Sequence, residues 1–142
     1  MKIYQHTVHY YETDKMGIVH HSNYVRWMEE ARVDFLAQIG WDFAKLEENG
    51  VISPVVAVAC EYKNSSRFAE VISIAVGIEE CGGARLKIKY TMTNAQGALI
   101  CEARSEHCFM NTQGKLLRLK KDLPGFYQAL QESQTPLSSN QN

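Results

Sequence analysis

The chain lacks any run approaching ~20 consecutive apolar residues, so no segment reads as a membrane-spanning helix. Its start, MKIYQHTVHYYETD, has no long apolar stretch, which argues against a secretory signal. Charge of one sign is also missing: 15 Lys and Arg face 16 Asp and Glu, a net charge of −1. Nothing in that balance draws the molecule onto nucleic acid or an anionic membrane. None of the four cysteines, Cys60, Cys81, Cys101 and Cys108, forms a C-x-x-C pair, and no H-x-x-x-H spacing occurs. A redox dithiol motif and a metal site are therefore not expected, nor is a cofactor. The thiols read as reduced and mostly buried, in a cytoplasmic protein. Cys60, inside the apolar run VVAVACEY, reads as a core thiol. There is no repeat and no linker.

What is there suits one domain over residues 1–131, followed by a polar tail over 132–142 expected to be disordered. Residues 3–13 carry β-branched and aromatic side chains and read as a strand. Residues 14–21 form a connection containing Gly17. Over 22–39, Tyr24, Met28, Ala31, Phe35 and Ile39 recur at helical spacing, with Trp27 and Leu36 alongside. Ser22 or Asn23 can cap this helix, and Gly40 lies just past its end. A shorter helical piece is expected over 42–49. Strands are expected over 53–63, 69–80, 84–95 and 98–111, broken at Gly82-Gly83 and Asn94 to Gly97. Such short connections imply antiparallel neighbours. A short terminal helix begins near Leu123, with Pro124 in its first turn. The fold class is α+β: one long helix packed on a strongly curved antiparallel sheet, which buries both apolar faces.

One segment concentrates chemistry. Asp14 ends the strand-like run, Gly17 turns the chain, and the helix starts near Ser22. A carboxylate thus lies beside the exposed backbone N–H groups of a helix start, which are parts of an acyl-transfer site. Read without further help, Asp14 is a turn or cap residue as readily as a catalytic one. His20 and His21 are adjacent, so their side chains diverge and do not suggest a metal pair. Tyr24 and Trp27 read as packing residues. Glu29 and Arg32, three apart on the helix, can pair with each other. Glu12 reads as a supporting or surface residue. The basic cluster Lys115, Arg118, Lys120 and Lys121 reads first as a solvated face.

The stretch Tyr11-Glu12-Thr13-Asp14-Lys15-Met16-Gly17-Ile18-Val19-His20-His21-Ser22-Asn23-Tyr24 resembles the 4-hydroxybenzoyl-CoA thioesterase family of hotdog acyl-CoA thioesterases. More closely, it is similar to the branch of small bacterial acyl-CoA thioester hydrolases whose prototype is associated with the Tol-Pal envelope system. Trp27, Glu29, Ala31 and Arg32 match along the helix, as do Ser53-Pro54-Val55-Val56, Ser105-Glu106-His107-Cys108-Phe109 and the stretch from Gly114 to Pro124. The resemblance covers roughly residues 5–130. Two positions depart from it: Glu12 stands where Asp is frequent, and His20 where an aromatic residue is common.

The resemblance implies a hotdog fold, with a five-stranded antiparallel sheet wrapped around the long helix. It implies hydrolysis of acyl-CoA, or of an acyl carrier protein thioester. Asp14 would be nucleophile or general base, and the His21 backbone N–H would polarise the thioester carbonyl. Gly17, His20, Tyr24, Asn64, Ser65 and Arg67 would contact substrate. Arg67 and the basic 115–121 cluster would meet CoA phosphates. It further implies a homodimer or homotetramer with sites at subunit interfaces, where residues of the 53–67 segment, such as Asn64, Ser65, Ser66 and Arg67, would line the neighbouring subunit's site. Two other readings stay open. One is a hotdog hydratase or dehydratase, although that class often places His five residues after Asp, whereas here the histidines come six and seven after it. The other is a non-catalytic module that binds acyl thioesters.

Overall fold

The structure, a computed structural model, describes residues 2–134. Of the tail expected from residue 132, residues 135–142 lie outside the described residues, and Glu132 instead closes a helix. The first strand, β1, spans only Tyr4–Thr7 of the expected 3–13. Residues Tyr10–Glu12 form a 3₁₀ turn instead. The cause is local: the Glu12 carboxylate accepts the His9 N–H at 2.8 Å and turns the chain out of the sheet.

The long helix α1 covers Ser22–Gln38, and Gly40 follows with φ +87°. Helix α2 spans Phe43–Glu48, with the Asp42 carboxylate capping the Lys45 N–H at 2.9 Å. Four strands follow: β2 Val55–Tyr62, β3 Val71–Cys81, β4 Arg85–Thr93 and β5 Leu99–Cys108. A short helix α3, Leu119–Asp122, was not expected from sequence, because the basic cluster there masks its single apolar anchor, Leu119. Helix α4 spans Pro124–Glu132.

All five strands form one antiparallel sheet in the order β1-β3-β4-β5-β2. The β3–β4 and β4–β5 turns join neighbours, as the Gly-rich breaks imply. The β2–β3 connection does not: β2 pairs with β5 at one edge, while β3 lies beside β1 near the other. Residues 63–70 therefore cross the sheet, and this crossing brings them to the loop that carries Asp14. There the Val19 N–H donates to the Ser66 carbonyl at 2.8 Å, and the Val8 N–H to the Glu70 carbonyl at 2.8 Å.

The core lies between α1 and one sheet face. Alternation in β4 buries Leu86, Ile88, Tyr90 and Met92 and leaves Arg85, Lys87 and Lys89 on the other face. Trp27, Met28, Ala31, Phe35 and Leu36 of α1 cover this face together with Ile72, Ile74 and Ile78 of β3. Register shifts in β2, β3 and β4 mark irregularities of the kind that bend a sheet around a helix. This is the hotdog arrangement that the resemblance implies.

Candidate active site

Asp14 stands at the head of a tight loop. An isolated bridge joins Thr13 to Val19, the Asp14 N–H donates to the Ile18 carbonyl at 2.9 Å, and the Gly17 N–H donates to the Asp14 carbonyl at 2.9 Å. Gly17 has φ +79°, a conformation that strains residues carrying a Cβ. One carboxylate oxygen of Asp14, Oδ1, accepts the Met16 N–H at 2.8 Å. The other, Oδ2, has no hydrogen-bond partner among the described residues, so it is free to meet a ligand.

His21 is the N-cap of α1. The next three N–H groups are occupied: Ser22 donates to His20 Nδ1 at 3.2 Å, Asn23 to the His20 carbonyl at 3.0 Å, and Tyr24 to the His21 carbonyl at 3.3 Å. The His21 N–H makes no hydrogen bond to another described residue. An open donor at the start of a 17-residue helix carries the partial positive charge that suits a developing oxyanion.

Asp14, His21, Tyr24, Asn64 and Ser65 line one cleft of about 380 Å³. Sequence reasoning missed Met16, Ile18 and Val19, and reached Tyr62 and Lys63 only as unnamed members of the 53–67 segment. Tyr62 and Lys63 directly precede the flagged Asn64, but only the sheet crossing shows that they face Asp14. Tyr62 packs against Tyr24, with ring centroids 5.2 Å apart. Burial, with Cys60 adding to it, pushes the Tyr62 hydroxyl up to about 12, and burial also raises Tyr24. Both phenols are therefore neutral donors at physiological pH. Ser66 is fully buried, and its hydroxyl lies close enough to the Tyr24 phenol to oppose part of that rise.

Other expected site residues lie apart from the cleft. The His20 ring turns to the Ser22 Oγ at 2.8 Å and stacks on His21, so it does not line the cleft. Gly17 and Arg67 are not lining residues either, although the Arg67 guanidinium lies 3.5 Å from where a Cβ on Gly17 would stand. Asn64 ties its side chain to the Leu99 carbonyl at 2.6 Å. The 64–67 segment, expected to serve a neighbouring subunit's site, lies beside its own chain's Asp14. The basic 115–121 cluster is at the far end of the sheet, where the Leu119 N–H meets the Gly83 carbonyl in the β3–β4 turn. Cys60 is half-buried rather than a full core thiol, with its sulfur 3.7 Å from Met28 Sδ. Among the described residues, no group of three or more His, Cys, Asp or Glu side chains is placed to hold a metal ion.

Glu12, expected as a supporting or surface residue, is 4% exposed. Burial alone would raise its carboxyl, but hydrogen bonds from His6, Trp27 and the His9 N–H outweigh it and hold the group below its ordinary range.

Comparison with known proteins gives the same direction. Residues 8–132 match the thioesterase-like superfamily. The Bacillus subtilis (strain 168) protein YneP is 33% identical over 127 residues, which cover 89% of this chain and 92% of that one. The Escherichia coli O6:H1 acyl-CoA thioester hydrolase YbgC is 29% identical over 96 residues, 68% of this chain and 72% of that one. A crystal structure of a DHNA-CoA thioesterase from Staphylococcus aureus superposes with a TM-score of 0.87 at 31% identity, covering 92% of this chain and 88% of that one.

Proposed function

We propose that this chain, which belongs to the thioesterase-like superfamily, hydrolyses acyl-CoA thioesters to the free acid and CoA. One observation carries the reading: Asp14, with one carboxylate oxygen unpartnered, and His21, whose helix-start N–H has no acceptor among the described residues, line the same cleft. A thioester needs little more. Its carbonyl is electrophilic and thiolate leaves readily. The Asp14 Oδ2 either attacks the carbonyl carbon or takes a proton from an attacking water. In the first route the C–S bond breaks, CoA leaves as thiolate, and water then cleaves the mixed anhydride. In the second, the water oxygen bonds to the carbonyl carbon as its proton passes to Asp14, and the tetrahedral adduct then collapses with cleavage of the C–S bond, releasing CoA as thiolate and the free acid. Both routes place negative charge on the carbonyl oxygen, which accepts a hydrogen bond from the His21 N–H.

Tyr24 and Tyr62 form an apolar wall that suits the acyl group, and Lys63 offers a cation at the rim for phosphate. The likeness to the E. coli acyl-CoA thioester hydrolase supports placing the chain in that branch, and the unlinked thiols suit the cytoplasm. No helix among the described residues is long and apolar enough to cross a membrane.

A homodimer completes the reading. The edge strand β2 exposes Val55, Val56, Val58 and Tyr62, although its sequence is apolar. A long apolar edge needs a cover. Antiparallel pairing of β2 with its copy would bring a neighbour's Val55 end beside the Tyr62 wall of the cleft.

The test is release of free thiol from a panel of acyl-CoA esters of different lengths. Wild-type protein releases CoA from at least one of them, and Asp14→Asn and Asp14→Ala lower kcat by about 100-fold or more. Wild-type rates in the Asp14→Asn protein would refute the assignment.

A further inference from the structure

Glu12 is two residues from Asp14, points away from the cleft, and is bonded on every side. Its Oε1 accepts His6 Nε2 at 2.9 Å and the His9 N–H at 2.8 Å; its Oε2 accepts Trp27 Nε1 at 2.8 Å. Its backbone carbonyl accepts the His20 N–H at 2.9 Å and Asn23 Nδ2 at 2.9 Å. One residue therefore ties together β1, the 3₁₀ turn, the end of the Asp14 loop and two positions on α1. His6 extends the tie. Its Nδ1 meets Glu30 at 3.1 Å, the Tyr4 hydroxyl donates to the same Glu30 oxygen at 2.8 Å, and its ring lies 4.6 Å from that of Trp27.

The topology of these bonds matters more than their number. The loop that carries Asp14 starts at the residue after Glu12. It ends at His20, whose N–H returns to the Glu12 carbonyl. Asp14 is separated from this anchor by Thr13 alone, and His21 directly follows His20. The carboxylate that drives cleavage and the N–H that holds the oxyanion are thus both set by the position of one buried side chain. A buried ionised carboxylate is costly unless its lone pairs are filled, and the three N–H groups that fill them fix it in place.

We propose that Glu12 is a positioning residue for hydrolysis, locking the Asp14 carboxylate and the His21 N–H into one rigid unit through its side chain and its carbonyl. The inference rests on the thioesterase reading above and deepens it. A reaction that depends on a carboxylate and an oxyanion donor at fixed spacing is sensitive to displacements on the order of 1 Å, which can cost about 100-fold.

The experiment compares Glu12→Gln, Trp27→Phe and Asp14→Asn with wild type by steady-state thiol release. Glu12→Gln keeps the size of the side chain but turns one acceptor into an amide facing an N–H donor. Its kcat falls by about 10- to 100-fold while KM stays within about threefold, because the cleft walls from β2 and α1 are untouched. Trp27→Phe removes one donor and keeps an aromatic ring; its kcat falls less, again with KM held. Glu12→Asp, which restores the charge, recovers part of the loss. A Glu12→Gln protein that folds and turns over at the wild-type kcat, beside an inactive Asp14→Asn, overturns the positioning role and leaves the thioesterase reading standing. Full activity in Asp14→Asn overturns that reading instead. If Glu12→Gln fails to fold, Trp27→Phe decides: an unchanged kcat, or a loss confined to KM, refutes the proposal.

Discussion

His107 shows how a single residue in this core couples stability to pH. It is fully buried, its Nε2 is 2.7 Å from the Ser105 Oγ, and Ser105 is 2.7 Å from the Tyr90 hydroxyl. Burial, with the nearby Arg32 guanidinium adding to it, pushes the imidazole from 6.5 down to about 4. The folded chain therefore refuses a proton that the unfolded chain takes up below about pH 6.5. Stability is full above that pH and is lost as pH falls toward 4, by roughly 2–4 kcal/mol. Denaturant unfolding between pH 7 and pH 4.5 should show this decline, and His107→Gln should flatten it. A wild-type slope retained in the variant would assign the decline to other groups. His107 was visible in the sequence only as part of a matching stretch. Nothing in Ser105-Glu106-His107 says which way the strand faces, and its burial follows from pairing with β2 and β4 on the core side. For Glu12 the sequence left a supporting and a surface position open for the same reason: its three N–H donors come from positions 6, 9 and 27.

At the scale of elements, local pattern was a good guide and pairing was not. Helix α1 is legible because its apolar positions repeat every three to four residues and Gly40 stops it. The β3–β4 and β4–β5 hairpins are legible because Gly82-Gly83 and Asn94 to Gly97 are turn chemistry. The placement of β2 is not, because strand order is set by which edge a segment reaches, and the sequence of 63–70 carries no mark of a crossing. That crossing supplies Lys63, Asn64 and Ser65 to the cleft wall. The Asp14 loop depends on Gly17 in turn. A Cβ there would meet only the Arg67 guanidinium, at an ordinary contact distance, so the penalty of Gly17→Ala comes from φ +79°. The cost should be about 1 kcal/mol in unfolding free energy. Thiol release should fall with it, because relaxing φ moves the carboxylate. Unaltered stability and unaltered turnover together would mean that the loop tolerates another path.

For the whole molecule, the sheet ends in two unlike edges. One is the four-residue β1; the other is the eight-residue β2, where Val58 is 43% and Tyr62 50% exposed. If β2 pairs with its copy, Val58→Lys should shift the molecule from twice the chain mass to the chain mass in light scattering. A variant that keeps the wild-type mass would place the interface elsewhere. In the proposed reaction Asp14 drives cleavage and a backbone N–H, rather than an imidazole, holds the oxyanion. His21 has φ −58°, which proline adopts without strain, and its N–H spends no hydrogen bond within the described residues. His21→Pro therefore removes the donor together with the ring, whereas His21→Ala removes the ring and keeps the donor, so the difference between them reports the N–H. The direct measurement is kcat for thiol release by these two proteins. The expected loss is about 100- to 1000-fold for His21→Pro and about tenfold or less for His21→Ala. A His21→Pro enzyme as fast as His21→Ala would contradict it.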